Sequence, residues 1–351
     1  MSAYMLHVLK MCDALSEKKC FVELFVPYKK KSLNFNFLKK NYLLKKNFII
    51  KSFFDNKVKR NFITYLIYSI KIYFYIVKNN SQKIILSRSI LPALILNLIG
   101  LKVLLEIHTE MRGLTKIFFL IVKSIMPTHK LKFILIHKNL NNQLNLKKEQ
   151  FIVLDDCVDT RDFKGKYQKK KECVYTGSFV KGKGIEMIIK ISKKLPKIKF
   201  NLYGNLKTLD NNLHSDIKKI KNIFLKNYVT YNKIPKILKT SKILLMPYEK
   251  KAGVLIDNLD VSNYISPLKL FDYLASGSVI LATNKKSYSH ILKNSYNSFL
   301  ISSFNENDWS DKIIKIMNNK VKIKKLSLNA INTAKKFSWL YRSKKILEFC
   351  D

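Results

Sequence analysis

Two short stretches in the second half of the chain carry residue types suited to holding a phosphorylated ligand. The first is Ser266-Pro267-Leu268-Lys269, with Asp272 one turn on, then Gly277 and the apolar run Val279-Ile280-Leu281. Serine is a good N-cap and proline suits a first helical position, so a helix is predicted over Ser266–Ser276, with Gly277 as its left-handed stop. Free amides at that helix start, with Lys269 beside them, make an anion site. Lys269, Asp272, Tyr273 and Ser276 fall on one polar face, while Leu270, Phe271 and Leu274 form the apolar stripe. Asp272 is spaced to hold a sugar diol, as ribose carboxylates do in dinucleotide sites. The competing reading is a surface pair of Lys269 and Asp272, worth about 0.2–0.5 kcal/mol.

The second stretch is Tyr175-Thr-Gly-Ser-Phe-Val-Lys-Gly-Lys-Gly184, with Gly177, Gly182 and Gly184 interleaved with Lys181 and Lys183 between an expected strand and helix. Glycines let backbone amides approach phosphate oxygens, and lysine adds a point charge. The loop lacks the ending of a Walker motif and is not the dinucleotide fingerprint. Alone it reads equally well as a tight turn. Paired with the Lys269 helix, it would close on one diphosphate from two sides, and a diphosphate followed by a ribose is half of a nucleotide sugar.

The run Ser266–Thr283 resembles the donor-site helix of retaining glycosyltransferases of the GT-B fold, family four, the group 1 glycosyltransferases. Members typically carry Ser-Pro-x-Lys-x-x-Glu-Tyr-x-Ala-x-Gly there. Ser266, Pro267, Lys269, Tyr273, Ala275 and Gly277 match, and Asp272 replaces the glutamate. Many members have a further glutamate eight positions earlier that reaches sugar hydroxyls. Here it is Tyr264, with Asp257 and Asp260 as nearby substitutes. The glycine loop resembles the one that opens the family's donor domain, whose final lysine, Lys183 here, binds the diphosphate. Where members often place arginine after the first glycine, this chain has Ser178. Leu244–Tyr248, Phe337-Ser338-Trp339, His7–Cys12 and Glu106-Ile107-His108 look like further family segments, in the expected order.

The resemblance implies an α/β fold of GT-B type, two Rossmann-like domains facing across a cleft. Residues 1–163 would bind the acceptor, 164–335 the nucleotide-sugar donor, and 336–351 would form a helix crossing back onto the first domain. It also implies transfer of a sugar from a UDP- or GDP-sugar to a glycan or lipid-linked acceptor, with retention and with neither metal nor cofactor. Lys183 and His108 would be catalytic. Gly177, Ser178, Gly182, Ser266, Pro267, Leu268, Lys269 and Asp272 would bind the donor. His108 follows an apolar strand, Leu101–Ile107, where the family places a histidine close to the reacting sugar. Arg88 and Arg112, after neighbouring strand ends, are further acceptor-side candidates. Tyr264 and Ser178 motivate the alternative, a catalytically impaired sugar-nucleotide binder or partner subunit. A nucleotide-sugar epimerase of the same fold would begin its chemistry alike.

Composition narrows the classes. A chain of 351 residues suits two domains, and 47% hydrophobic content suffices for real cores. The net charge of +42 favours anionic lipid surfaces, nucleic acids or anionic substrates. Lysine carries nearly all of it, spread along the chain, whereas base-edge recognition favours arginine, and no nucleic-acid-binding signature is present. Nucleic acid is therefore not expected. The five cysteines are an odd number without CxxC spacing, so reduced thiols are expected, and no Cys/His metal cluster emerges. The N-terminus lacks a basic segment followed by an apolar core, and Ile90–Leu105 is interrupted by Pro92, Asn97, Gly100 and Lys102. A cytoplasmic protein is expected, peripheral on the inner face of the membrane, with an acceptor from surface polysaccharide synthesis of lipopolysaccharide type in a bacterium.

The elements that must position these groups alternate between strand and helix, which predicts parallel sheets with helices on both faces. In the second half, strands are expected at Val174-Tyr175, Phe200–Tyr203, Lys242–Met246 and Val279–Ala282. Helices are expected at Gly184–Lys194, Ile234–Lys239, Asp308–Met317, Leu326–Lys335 and Trp339–Phe349, and Lys164–Glu172 reads as a linker. The first half is expected to run from a helix over Tyr4–Glu17 to a strand over Cys20–Val26 stopped by Pro27. Residues Lys29–Lys59 are poorly periodic. Arg60–Lys78 reads preferentially as a core helix, with a membrane-surface helix as the functional alternative. Lys83–Leu86, Leu91–Ile99, Leu131–Ile136 and Phe151–Leu154 follow. The opening strand of a Rossmann-type sheet is missing, so either the coding start lies upstream of Met1, the favoured reading, or the domain is trimmed. His129, His137, His214 and His290 are read as surface or core.

Overall fold

The structure, a computed structural model, describes all residues except 1–2, 29–33, 60, 80–83, 127–129, 252–259, 320–322 and 351. The expected helix start at Arg60, the strand start at Lys83, His129 and Asp257 lie outside the described residues. The chain divides into two compact units, residues 2–155 with 339–351, and residues 156–338.

The first unit begins with α1 (Ala3–Glu17) and continues through β1 (Glu23–Tyr28), α2 (Phe35–Tyr42), β2 (Ile49–Phe54), α3 (Phe62–Lys78), β3 (Ile85–Ser87) and α4 (Ile90–Leu98). It goes on through β4 (Val103–Ile107), α5 (Gly113–Ile125), β5 (Leu131–Leu135), α6 (Asn141–Leu144) and β6 (Phe151–Val153), and the terminal helix Trp339–Cys350 completes it. Its strands form two parallel sheets, β1-β2 and β3-β4-β5-β6. No described strand joins the two pieces, so β1 and β3 are both edges. That edge position explains a correction: β1 runs through Pro27 instead of stopping there. Val26 pairs with Ser52 and Tyr28 with Phe54, and an edge strand tolerates a residue with no N–H.

Two further expectations are corrected here, and a third holds in part. Lys29–Lys59 contains α2 and β2, whose pattern was hidden by interspersed lysines. Asn34 caps α2 by accepting from the Phe37 amide, and Asp13 of α1 accepts from the Lys45 and Lys46 amides just beyond it. Helix α5 was not anticipated. Helix α3 packs on the β1-β2 sheet as a core helix does, setting Tyr68 and Tyr75 against Phe53 of β2, but it covers only part of its apolar surface. It buries Tyr68, Ser69, Ile72 and Ile76, while Ile63 and Phe74 are 66% and 65% exposed.

The second unit contains β7 (Lys170–Thr176), α7 (Ile185–Lys194), β8 (Lys199–Tyr203), α8 (Asn211–Lys218), β9 (Ile223–Lys226), α9 (Ile234–Thr240) and β10 (Ser241–Met246). It continues through α10 (Leu268–Ser276), β11 (Val279–Thr283), β12 (Phe299–Ile301), α11 (Glu306–Met317) and α12 (Ile323–Lys336); the terminal helix of the first unit is thus α13. One parallel sheet has the order β12-β11-β10-β7-β8-β9. The expected linker is shortened, because Lys170–Glu172 already belong to β7. The strands are apolar on both faces, with Ile243, Leu244, Leu245, Val279, Ile280 and Leu281 all buried, as a sheet covered on both sides requires. Chain order reverses between β7 and β10. In open α/β sheets such a reversal, at the carboxyl ends of the strands, is where ligands bind. Among the described residues, no helix is long and apolar enough to cross a membrane.

Candidate functional site

In the second unit, both stretches singled out as candidate anion sites lie at that reversal. The loop after β7 holds Gly177 at φ 142° and Gly184 at φ 82°. A Cβ on Gly184 would stand 1.9 Å from the Pro247 carbonyl oxygen, so the loop reaches the end of β10 only because this residue is glycine. A Cβ on Gly177 would stand 3.0 Å from Lys269 Nζ. The ammonium thus occupies the side of the loop that the missing side chain leaves open.

Lys269 Nζ sits 3.7 Å from the centre of the Tyr175 ring and 5.1 Å from that of Tyr248, and Lys183 Nζ lies 4.9 Å from the same Tyr248 ring. The two lysines, 86 positions apart in sequence, therefore flank one tyrosine. Lys269 Nζ is buried and has no hydrogen-bond partner among the described residues. Burial first, then the neighbouring Lys183 charge, hold its pKa well below the ordinary lysine value. Lys183 is pushed down to about 8, by burial and then by Lys285. Cations packed together without an anion between them raise each other's cost of charging. A phosphate placed among them would remove that cost.

Helix α10 spans Leu268–Ser276 and ends at Gly277 in the left-handed conformation, as expected. Its start differs. Pro267 is the N-cap, and Ser266 is one position too early to cap the helix; its hydroxyl instead accepts from the Asp156 amide at 3.2 Å. The first helical amides, beginning at Leu268, are left without a side-chain cap. The expected polar face does not face water: Asp272, Tyr273 and Ser276 are all buried. The surface-pair reading of Lys269 with Asp272 therefore fails. Asp272 accepts from the Tyr231 hydroxyl at 2.9 Å. Tyr273 accepts from the Thr176 amide at 2.9 Å and fixes α10 against the end of β7. In the glycine loop, the Ser178 carbonyl accepts from the Tyr175 hydroxyl at 2.7 Å, and Gly182 has φ 81°. Tyr264 is buried, and exposed Asp260 accepts from the Ser262 amide.

Sequence reasoning missed Tyr175 and Tyr248 as the floor under the two ammonium groups, and missed Lys285. The available signal was position: Tyr248 and Lys285 each follow a buried strand by two residues, at the carboxyl edge of the sheet.

The first unit places its own candidates around Glu106 at the end of β4. His108 Nε2 lies 2.5 Å from Glu106 Oε1, and the same oxygen lies 2.9 Å from His7 Nε2 and 2.9 Å from Arg342 Nη2. The His7 ring is edge-on to both His108 and Trp339. Burial pushes the Glu106 carboxyl up, but Arg342, then His7 and His108, hold it well below the usual range. Burial pushes His108 down to about 4, against the opposing pull of Glu106. Folding thus brings together three residues of types that can ligate a metal, His7, Glu106 and His108, with ligand atoms within 4.8 Å of one another. Sequence spacing did not display this grouping, because His7 is remote from Glu106 and His108 in the chain. Arg342 already supplies the cation that balances the carboxylate. Arg88 stacks on the Tyr4 ring at 4.4 Å and depresses the His108 pKa by its charge, so it belongs to this cluster. Arg112 is exposed at the start of α5.

A pH dependence follows from His108. Its folded pKa is below its unfolded value of about 6.5, so its contribution to stability is complete above pH 6.5 and lost as pH falls toward 4. Between pH 7 and 5 the wild type should lose about 2 kcal/mol more than His108→Asn, read from urea unfolding of this unit. Equal losses would show that His108 is not held neutral by burial.

A family model described as glycosyl transferases group 1 matches residues 159–337, just over half of the chain. An uncharacterized glycosyltransferase of Methanocaldococcus jannaschii is 25% identical over 224 residues, covering 60% of this chain and 57% of that protein. Among solved structures, a glycosyltransferase from Rickettsia africae matches with a TM-score of 0.73 at 14% identity, over 98% of this chain and 93% of that one. Anabaena HepE in complex with UDP and glucose matches with a TM-score of 0.73 at 10% identity, over 99% of this chain and 95% of that one. These likenesses establish an α/β fold of the GT-B class with parallel sheets.

Proposed function

Since the chain belongs to the group 1 glycosyl transferases, we propose that it moves a sugar from a nucleoside diphosphate donor, a UDP- or GDP-sugar, to an acceptor hydroxyl with retention of anomeric configuration. The observation that carries this reading is the pairing of Lys183 and Lys269 across one tyrosine, with the Lys269 ammonium unpartnered beside the glycine loop. In the reaction the bond between the anomeric carbon and the diphosphate oxygen breaks, and its electron pair leaves with the diphosphate. The acceptor oxygen bonds to the same carbon on the same face, and its proton passes to the departing phosphate oxygen. The difficult event is the departure of the charged diphosphate. Two ammonium groups and the uncapped amides of α10 neutralise it, so the leaving group needs neither metal nor cofactor.

Asp272 binds the ribose diol, held in orientation by Tyr231. Gly177, Ser178, Gly182, Pro267 and Leu268 line the diphosphate through their backbone, and Ser266 anchors the approach to the helix. His108 is uncharged near neutrality, so it serves as a hydrogen-bonding group to the transferred sugar and not as a cation. Arg88 stands beside it on the acceptor side, and exposed Arg112 is the second acceptor-side candidate. In this assignment residues 156–338 hold the donor, and residues 2–155 with 339–351 hold the acceptor. The acceptor is a glycan or lipid-linked intermediate of bacterial cell-surface polysaccharide synthesis, of lipopolysaccharide type. The protein works on the inner face of the cytoplasmic membrane, a location supported by its net charge of +42.

Two outcomes follow. Asp272→Ala should raise donor KM about tenfold or more while changing kcat little, because the lost contact is made equally in the ground state. Diphosphate binding should also be linked to proton uptake. The free lysines sit below their ordinary pKa values and an anion restores them, so the complex binds more protons than the free protein. Calorimetry of UDP binding near pH 8, in buffers of different ionisation enthalpy, should report uptake, and Lys269→Met should reduce it. Proton release on binding would contradict the assignment.

One observation favours a second reading. Buried Tyr264 stands where, by the family resemblance, many members carry a sugar-binding glutamate, which supports a nucleotide-sugar binder with impaired transfer. Turnover of UDP- and GDP-sugars separates the two: transfer or donor hydrolysis supports the enzyme, whereas nucleotide binding without either supports the binder.

A further inference from the structure

An ordinary surface helix buries its apolar stripe and turns polar residues to water, whereas α3 and α5 each carry a further apolar stripe that is exposed. Along α3, Ile63, Ile67, Ile70, Phe74 and Val77 recur at helical spacing and are all exposed, while the buried side includes Ser69, whose hydroxyl bonds the Tyr65 carbonyl. Along α5, Leu114, Ile117, Ile121 and Ile125 form a second exposed stripe, and Leu114 is 83% exposed. Both helices pack on α4, and the Phe62 ring of α3 contacts the Phe118 ring of α5. Right-handed crossovers from β3 to β4 and from β4 to β5 set α4 and α5 on the same face of their sheet. The stripes therefore belong to one broad apolar surface, larger than scattered exposed residues explain.

Its charge identifies the occupant. None of α3, α4 and α5 contains an acidic residue, and exposed Lys78, Arg112 and Lys116 stand on or at the ends of α3 and α5. A second copy would bring the same basic residues, on a chain of net charge +42, against themselves. Nucleic acid would meet the cations but gain nothing from two aliphatic stripes. Aliphatic and aromatic side chains in the plane of a surface, rimmed by lysine and arginine, match the interfacial layer of an anionic bilayer, where hydrocarbon lies beneath phosphate. We propose that the α3–α5 face is a membrane-docking surface that inserts its exposed aliphatic and aromatic side chains among anionic phospholipids. This deepens the membrane location proposed above and rests on it for its purpose, access to a lipid-linked acceptor. It does not rest on the donor chemistry.

The test is sedimentation of the full chain with vesicles of phosphatidylcholine and phosphatidylglycerol, and with phosphatidylcholine alone. The wild type should bind the anionic vesicles preferentially. The double variant Ile63→Glu, Leu114→Glu should lose on the order of 100-fold in partitioning, with its thermal melt and UDP binding retained. Phe74→Trp, a change at an exposed site, should give emission that shifts to the blue and is quenched by brominated lipid. A double variant that keeps its melt and sediments like the wild type would overturn the assignment of this face, leaving the location intact. So would an unquenched Trp at position 74, or a wild-type dimer that the double variant dissociates. A wild type that binds UDP but no vesicles would remove both the face and the location and leave the transferase reading standing. Vesicle binding without UDP binding would do the reverse.

Discussion

Replacing Lys183 with alanine should lower kcat by on the order of 10²–10³, the range found when a single transition-state charge stabiliser is removed. The fold should survive, because the Lys183 backbone amide bonds the Val180 carbonyl and its ammonium lies over the Tyr248 ring beside neighbouring cations. Deleting it relieves repulsion with Lys285 and Lys269, so the empty protein should be no less stable. That combination, lost turnover with unchanged or raised melting temperature, separates a catalytic cation from a structural one. Lys183→Arg should rescue only in part, since a planar guanidinium does not fit the place of a compact ammonium between loop and ring. Full activity in Lys183→Ala with the correct donor would remove Lys183 from the chemistry.

The largest effect on stability is expected at Arg342. Its guanidinium is 1% exposed and reaches Glu106, the Asp155 carbonyl and the Met11 sulfur. It thereby ties α13 to the end of β4 and to α1. Arg342→Met keeps much of the volume but leaves a buried carboxylate without its main cation. Breaking a buried ion pair from one side costs about 3–5 kcal/mol. Adding Glu106→Gln should recover much of that, because the stranded charge goes with it. Urea unfolding of the single and double variants checks this. An Arg342→Met variant as stable as the wild type would show that the contacts of His7 and His108 suffice to hold the buried Glu106 carboxyl.

The elements that carry Lys183 and Lys269 were legible because their signals are local. Ser266 to Gly277 reads as a helix with a glycine stop, and three glycines between a strand and a helix read as an open loop. What the sequence did not display was the company these groups keep. Tyr175 and Tyr248 look like strand residues, and Lys285 looks like one lysine among many. Only the order of strands brings them to one edge. The Glu106 cluster was hidden for the same reason, since His7 and Arg342 reach it from opposite ends of the chain. Helix α3 was legible on its buried face only. Hydrophobic periodicity tells which residues share a face but not whether that face meets a core or a lipid surface.

The account depends on Lys183 and Lys269 serving one ligand, and a crystal structure of the chain with UDP tests that directly. Both ammonium groups should lie about 2.7–2.9 Å from oxygens of the same diphosphate, with the α10 amides facing it. A UDP whose diphosphate touches neither lysine, or whose phosphates leave Lys269 unpartnered against Tyr175, would contradict it.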